Sequence, residues 1–348
     1  MPILLKDMKV GMHDKVAEQV VDSFIRHSEV LELLPFDNAV SPSGGSTLTY
    51  GYVQTKLPSN TAFRALNTEY ASSEAKLEQK AVNLKVFGGA FEIDRVIKDA
   101  EGMYDNMAYQ IDEKVISAIG TFHNAMINGD SATNSETFDG LDKFLVGQTT
   151  EFNTGAYYDL STMAKLEENA SVFYEALIKL INRTGADALF VNEDMKSKIQ
   201  TVARVLGYKT ESEEAFGRVV TTIGENKVRL IDLGDVVTAS GETAVETPII
   251  GLKTRKVGSE ASVTGLTDIY AVKFDVKKGF HGVTLTGSSG VNTYLPDFNT
   301  PGAVKKGEVE MVACVALKNT KGAGVLMRSY KEPSIRKRKL TRSSNISK

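Results

Sequence analysis

At 348 residues, 42% hydrophobic and 24% charged, the chain can fill more than one core, because a single core stops growing beyond about 250–300 residues. The formal net charge of −3 hides an asymmetry. The last 18 residues carry seven Lys/Arg against one Glu, leaving 34 basic and 43 acidic side chains in the first 330, a net of −9. The single Cys314 excludes an intramolecular disulfide, no apolar run approaches the roughly 18 residues of a spanning helix, and MPILLKDMKVGM lacks the charge order of a signal peptide. The expectation is a protein made and used in a cytoplasm.

In chain order, residues 1–40 open with a short apolar segment. A short helix follows, with Val16, Val20, Phe24 and Ile25 on one face, stopping before Pro35. This is an arm with one sticky stripe, flanked by His13 and His27, neither of which has a partner at metal-ligand spacing. After the turn-forming SPSGGS, TLTYGYVQT alternates Leu48, Tyr50 and Tyr52 on one face, as a half-exposed strand does. LPSNTAFRALNTEYASSEA shows little periodicity, and alternation resumes at Val82, Leu84 and Val86 in NLKVFGGAFEI. Such a gap is long, since most connections run about 4–6 residues. A surface loop and an arm that packs on a neighbouring subunit both fit it. Gly88-Gly89 then serves as a hinge into the next element.

From Tyr104 the periodicity turns helical, with Met107, Ile111, Val115, Ile119, Phe122 and Met126 at three- and four-residue steps over a rod of roughly 33 Å. Asp105, Asp112 and Glu113 suit the helix dipole, and Asn128-Gly129 offers a left-handed exit. The polar loop GDSATNSETFDGL follows. A second long helix is expected from a cap at Asp159 or Ser161, with Leu166, Val172, Leu177, Leu180 and Ile181 as its stripe and Gly185 as its end. ALFV forms a buried strand, Asn192 turns the chain into a third helix, and two strands flank Gly224-Glu225-Asn226. PIIGLKTRKV, IYAVKFDV, HGVTLTG, EVEMVACVALKN and AGVLMRSY make the remainder mainly β, before a basic tail. The fold class is α+β, and the segment from Leu141 to Val237 reads as a compact domain with helices covering a small sheet.

The search for chemistry yields exclusions. There is no phosphate-cradling GxxxxGK[ST], no GxGxxG between strand and helix, no HExxH, no Cys/His set for zinc and no GxSxG elbow. Asp130, Asn134, Glu136 and Asp139 cluster after the long helix but miss the calcium-loop spacing. Cys314 sits in an apolar β-like run, which suits a structural thiol. Glu167-Glu168 and Glu213-Glu214 read as solvated faces. No catalytic residue, metal ligand or cofactor is nominated, and an enzyme is not expected. The tail residues Arg336, Lys337, Arg338, Lys339 and Arg342 would bind phosphate in a salt-dependent way, without interleaved aromatics for base stacking.

The order of the pieces carries a resemblance. The helical arm, the long excursion, GGAFEI, the helix ending in AMINGD, the loop closing on FDGL, GADALFVNEDMKSKI and the β-rich return through IYAVKFDV together resemble the major capsid protein of tailed double-stranded DNA bacteriophages. Over about residues 1–330, the resemblance implies the tailed-phage major capsid fold and a shell subunit. Residues 1–40 would be the N-terminal arm, 41–87 an extended β-hairpin loop overlapping a neighbour, and 88–146 with 269–330 a peripheral domain on a spine helix. Residues 147–268 would form an axial domain, and 331–348 a basic tail. Lys56, Leu57, Phe63, Arg64 and Leu66 in the loop, with Val20 and Phe24 in the arm, are the subunit-contact candidates.

The implied partners are further copies of the chain in hexamers and pentamers, a separate scaffolding protein, a portal and enclosed double-stranded DNA, with no membrane. The implied location is the virion, after assembly in the bacterial host cytoplasm. A separate scaffold is expected because the arm begins at Met1, whereas some members carry a helical scaffold segment first. Lys56 lies where some members crosslink, but no partner Asn or acidic residue aligns, so crosslinking is not expected. An encapsulin-like nanocompartment shell is the alternative reading, and a soluble enzyme or binding module a more distant one.

Overall fold

The computed structural model describes residues 3–4, 28–40, 48–57, 59–96, 106–152, 157–208, 211–215, 218–224, 226–240, 243–285 and 291–326. The expected arm helix with Val16, Val20, Phe24 and Ile25, both His13 and His27, and the basic tail lie outside the described residues. The first elements are β1 (Ile3–Leu4), α1 (Glu29–Leu33) and β2 (Pro35–Val40). The Ser28 hydroxyl caps α1 by accepting from the Leu31 N–H, and Glu29 and Glu32 sit in its first turn, where the dipole favours them. β3 (Thr49–Leu57) and β4 (Lys76–Asn83) form an antiparallel hairpin, and β5 (Lys85–Asp94) follows after Leu84.

The long helix α2 (Asn106–Asn128) buries Ile111, Val115, Ile119, Phe122 and Met126, the stripe its periodicity predicts. α3 (Leu141–Leu145) and β6 (Glu151–Phe152) lead to α4 (Met163–Thr184), β7 (Ala188–Val191) and α5 (Glu193–Val205). α4 begins one residue after the expected cap. Thr162 is its N-cap, while the Asp159 carboxylate accepts from the Ser161 N–H and hydroxyl. Its stripe also differs: Phe173 is buried and Val172 is turned outward. Gly185 ends α4 in the left-handed region at φ 59°, and the Asn192 side chain caps α5.

Strands dominate the rest: β8 (Glu211–Ala215), β9 (Arg218–Ile223), β10 (Val228–Asp232), β11 (Asp235–Ser240), β12 (Thr243–Pro248), β13 (Lys253–Val257), β14 (Glu260–Leu266), β15 (Ile269–Val272), β16 (Phe280–Leu285), β17 (Val291–Tyr294), β18 (Val304–Leu317) and β19 (Ala323–Leu326). They form two main sheets. One runs β1-β2-β16-β18-β17, with β5 antiparallel to β18 from Val304 opposite Asp94 to Ala313 opposite Lys85. The other, of seven strands, runs β6-β19-β15-β7-β10-β9-β8 and is covered by α4 and α5. Residues 269–272 and 323–326 therefore share a sheet with 188–191. α2 lies against β5, β18 and β11, so its apolar stripe meets the first sheet.

Two features of the first sheet were invisible in its alternation. Gly307 stands opposite Phe91 and Gly282 opposite Phe36, and an added Cβ would sit 2.4 Å and 2.5 Å from the respective rings. Each phenylalanine thus covers the bare backbone of the glycine across from it. Gly88-Gly89 is not a hinge; both residues are paired within β5, and a Cβ on Gly88 would fall 2.0 Å from the Val309 carbonyl oxygen. The inward face of β5 is Phe87, Phe91 and Ile93, with Val86 pointing out, so the alternation read through Val82, Leu84 and Val86 spans a break between two strands.

Gly129 is not in the left-handed region either. Its need for glycine is steric: a Cβ there would lie 2.2 Å from the Phe138 carbonyl oxygen and 2.4 Å from that of Ala125. The partner is Gly140, whose Cβ would lie 2.6 Å from the Ile127 oxygen and whose N–H donates to the Gly129 carbonyl at 2.8 Å. AMINGD and FDGL are thus the two halves of one glycine-on-glycine contact that closes the polar loop onto the end of α2.

Candidate functional site

The β3–β4 hairpin divides into a root that packs on the body and a tip that packs on nothing. At the root, Tyr50, Tyr52 and Gln54 point inward and are buried, the period-2 pattern of a strand with one covered face. The Tyr50 hydroxyl donates to Asp37 Oδ2 at 2.7 Å. Lys318 Nζ lies 3.9 Å from the same oxygen and 5.3 Å from the Tyr50 ring centroid. His281 meets Tyr50 edge-on with centroids 5.9 Å apart, and its Nε2 is buried without a hydrogen-bond partner.

Burial first, then Asp37, pushes the Tyr50 phenol up, and burial pushes Tyr52 up to about 12. Burial, with the nearby Lys318 charge, lowers His281 to about 4, so at neutral pH it packs as an uncharged ring. Sequence reading found Tyr50 and Tyr52 but put Leu48 with them, which is exposed. It missed Asp37, His281 and Lys318, because only the pairing of β2 with β16 and β16 with β18 brings them to the hairpin.

Beyond the root the outward residues Val53 and Leu77 are exposed on both strands. At the tip Phe63 is 107% exposed and Leu66 is 90% exposed. The tip is shaped by polar contacts instead of apolar burial. Thr68 Oγ1 donates to the Ala65 carbonyl at 2.8 Å, Arg64 donates to the Thr68 carbonyl at 3.1 Å, and Asn67 takes a positive φ of 64°. The Arg64 guanidinium stands 5.2 Å from the Tyr70 ring centroid, and Lys56 pairs with Glu78 at 3.7 Å across the hairpin. The structure therefore gathers Lys56, Phe63, Arg64 and Leu66 on one projecting element. The side chain of Leu57, and Val20 and Phe24, lie outside what is described.

The groups that could have carried chemistry are engaged otherwise. Lys143 Nζ lies 2.5 Å from Asp130 and 3.0 Å from Asp139, and the hydrogen bond from Lys143 holds Asp130 down to about 2. Cys314 is buried in β18, and burial pushes its thiol up to about 12. His123 is buried at 2.8 Å from the Ser28 hydroxyl and lowered to about 4 by burial. Among the described residues no group of three or more His, Cys, Asp and Glu is placed to hold a metal, and no helix is long and apolar enough to cross a membrane.

No protein-family model matches the chain, and no curated protein matches it. Solved structures do. The chain is similar to the holo-SrpI encapsulin complex from Synechococcus elongatus PCC 7942, at 12% identity over 94% of this chain and 99% of that one, with a TM-score of 0.52. It is also similar to the capsid of an empty GTA particle, at 10% identity over 87% and 90% of the two chains, with a TM-score of 0.50. The fold is thus the α+β fold of capsid and encapsulin shells, as the order of its sequence segments implied.

Proposed function

We propose that this chain is a non-enzymatic structural subunit that self-assembles into a closed shell, a tailed-phage head of hexamers and pentamers enclosing double-stranded DNA. The observation that carries the reading is the hairpin of 49–83. Its root is locked to the body by Tyr50 and Asp37, while Phe63 and Leu66 at its tip are left in water by their own chain. A fold that leaves large apolar groups on a held-out element gains their burial from another copy, and about 1,600 Å² suffices for specific association. Head-to-tail repetition of such contacts closes into rings, and rings into shells. The fold shared with the capsid and encapsulin structures supports the same reading. In it, 147–268, with the strands 269–272 and 323–326 that complete its sheet, would supply the capsomer centres, 88–146 with the rest of 269–330 the periphery, and a separate scaffold and a portal would complete the head in the host cytoplasm.

A second reading, a nanocompartment shell, is favoured by the encapsulin match over nearly the whole of both chains. Sedimentation and negative-stain imaging of the purified chain, with and without a candidate scaffold, test the shared core of both readings. Rings, tubes or shells are expected, and small species under every condition would refute both. Nuclease-protected DNA inside particles from infected cells separates the phage head from a compartment that copurifies with a cargo protein.

A further inference from the structure

The β11–β12 hairpin stands outside both main sheets. Its ladder, from Asp235 opposite Pro248 to Ser240 opposite Thr243, has no third strand among the described residues. Val237 on one face and Val245 on the other are 56% and 54% exposed, and Val236 alone of its valines packs on the body. A two-stranded hairpin with both faces in water is marginal, so it gains stability from being covered. One face has a definite chemistry. Strand alternation puts Asp235 and Val237 on it together with Glu246, which stands across the ladder from Val237. Burial first, then Glu246, Asp232 and Glu193 beside it, raises the Asp235 carboxyl, and none of the four acids has an ion-pair partner among the described residues.

Lysines gather at the other end of the seven-stranded sheet. The Lys273 N–H donates to the Gly322 carbonyl at 2.9 Å, the Lys318 N–H donates to the Gly279 carbonyl at 3.3 Å, and a Cβ on Gly322 would lie 3.0 Å from the Lys278 carbonyl oxygen. These contacts join the turn 273–279 to the short 3-10 turn Thr320–Gly322, so Lys273, Lys277, Lys278, Lys318 and Lys321 share one knuckle. Lys318 lies beside Asp37, but the other four have no ion-pair partner among the described residues. The acids there, Asp187 and Asp275, accept from the Phe274 and Lys277 N–H groups. Strand directions set the two patches apart. β7 and β10 are parallel, with Val191 opposite Asp232, so Glu193 and Asp235 follow the ends of these strands. β15 is antiparallel to β7 and to β19, with Val272 opposite both Ala188 and Ala323, so Lys273 and Lys321 flank the end where β7 begins. The four residues of β7, roughly 13 Å at ~3.3 Å each, lie between. One copy cannot bring its own two ends together, whereas two copies can.

We propose that the Asp235, Val237 and Glu246 face of the β11–β12 hairpin docks on the lysine knuckle of a second copy, its carboxylates meeting Lys277, Lys278 and Lys321. A second copy is the occupant because the two patches have opposite charge and every chain carries both. The contact uses a different surface on each side, so it repeats head to tail. It rests on the self-assembly reading and adds a contact separate from the β3–β4 hairpin.

A carbodiimide, which joins an amine to a carboxylate it touches, tests this on a mixture of normal and heavy-nitrogen full chains. Mixed-label peptides joining Lys277, Lys278 or Lys321 to Asp235 or Glu246 are expected, and they should fade as salt screens the pairs. Lys277→Glu/Lys278→Glu and Asp235→Lys/Glu246→Lys, all at exposed positions and each checked by an unchanged urea midpoint, should each weaken association about tenfold in sedimentation. The four changes in one chain reverse both patches and should restore it. A four-change chain that associates no better than either two-change chain would overturn the proposal. So would knuckle crosslinks confined to single chains, or knuckle lysines shielded from acylation by duplex DNA and not by other copies. Shells without the mixed-label peptides would sink this contact and leave the shell reading standing, and mixed-label peptides in small species alone would do the reverse.

Discussion

Replacing Gly129 by Ala should be among the most damaging single-methyl changes in the chain. The new Cβ would lie 2.2 Å from the Phe138 oxygen and 2.4 Å from the Ala125 oxygen, both backbone atoms that cannot swing aside. Relief requires the last turn of α2 to separate from residues 138–140, which breaks the 2.8 Å bond from the Gly140 N–H to the Gly129 carbonyl. Overpacking costs about 1–3 kcal/mol and stranding a buried backbone group about 1–3 kcal/mol more, so a loss of roughly 3–5 kcal/mol is expected. That is a large share of the ~5–15 kcal/mol by which domains are stable. The assay is urea unfolding of the dispersed subunit, with Gly147→Ala as the control. Gly147 has a φ of 76° and nothing within 4 Å of an added Cβ, so it should lose only about 1 kcal/mol of backbone strain. A Gly129→Ala midpoint indistinguishable from that of Gly147→Ala would refute the steric account of the AMINGD and FDGL pair.

The two buried histidines set an acid limit. His123 and His281 are neutral in the fold with pKa near 4, while an unfolded imidazole binds its proton near 6.5. Stability is therefore complete above pH 6.5 and falls toward pH 4, each histidine adding a slope of up to about 1.4 kcal/mol per pH unit. Denaturant titrations at pH 7, 6 and 5 should show this slope and His281→Gln should reduce it by about half, leaving the share of His123; a flat wild-type profile would contradict the burial account. Tyr50→Phe removes a hydrogen bond to a carboxylate, worth about 1.5–3 kcal/mol, and should speed amide exchange in β3 and β4 while leaving β10 unchanged. The double change Phe63→Ser/Leu66→Ser should alter subunit stability by less than about 0.5 kcal/mol, because both side chains are fully in water, yet reduce the sedimenting assembled fraction. Loss of folding in that variant would contradict the separation of tip from root.

The helices were legible because one face of each is covered by its own chain. α2, α4 and α5 show their stripes at three- and four-residue steps, and Gly185 and Asn192 mark their ends. β4 was not legible: Lys76–Asn83 has no fully buried side chain, so no alternation marks it as the return strand of the hairpin. Gly88-Gly89 looked like a hinge because a glycine pair signals freedom locally, whereas here the requirement comes from Val309 on a strand more than two hundred residues away. The candidate site shows the same division. Phe63 and Leu66 came from the family resemblance, since their stretch shows little periodicity of its own. Asp37, His281 and Lys318 could be joined to Tyr50 only through sheet pairings that leave no trace in local sequence.

Those distant pairings also set a schedule for synthesis. β2 waits for β16, with Phe36 registered against Gly282, and β5 waits for β18. At about 5–20 residues per second, the roughly 250 residues between Phe36 and its partner take tens of seconds to leave the ribosome. Until then the inner face of β2 and the stripe of α2 lack their sheet. A truncated or stalled chain cannot complete the surface that holds the hairpin, so the root of the hairpin is set only once the chain is finished.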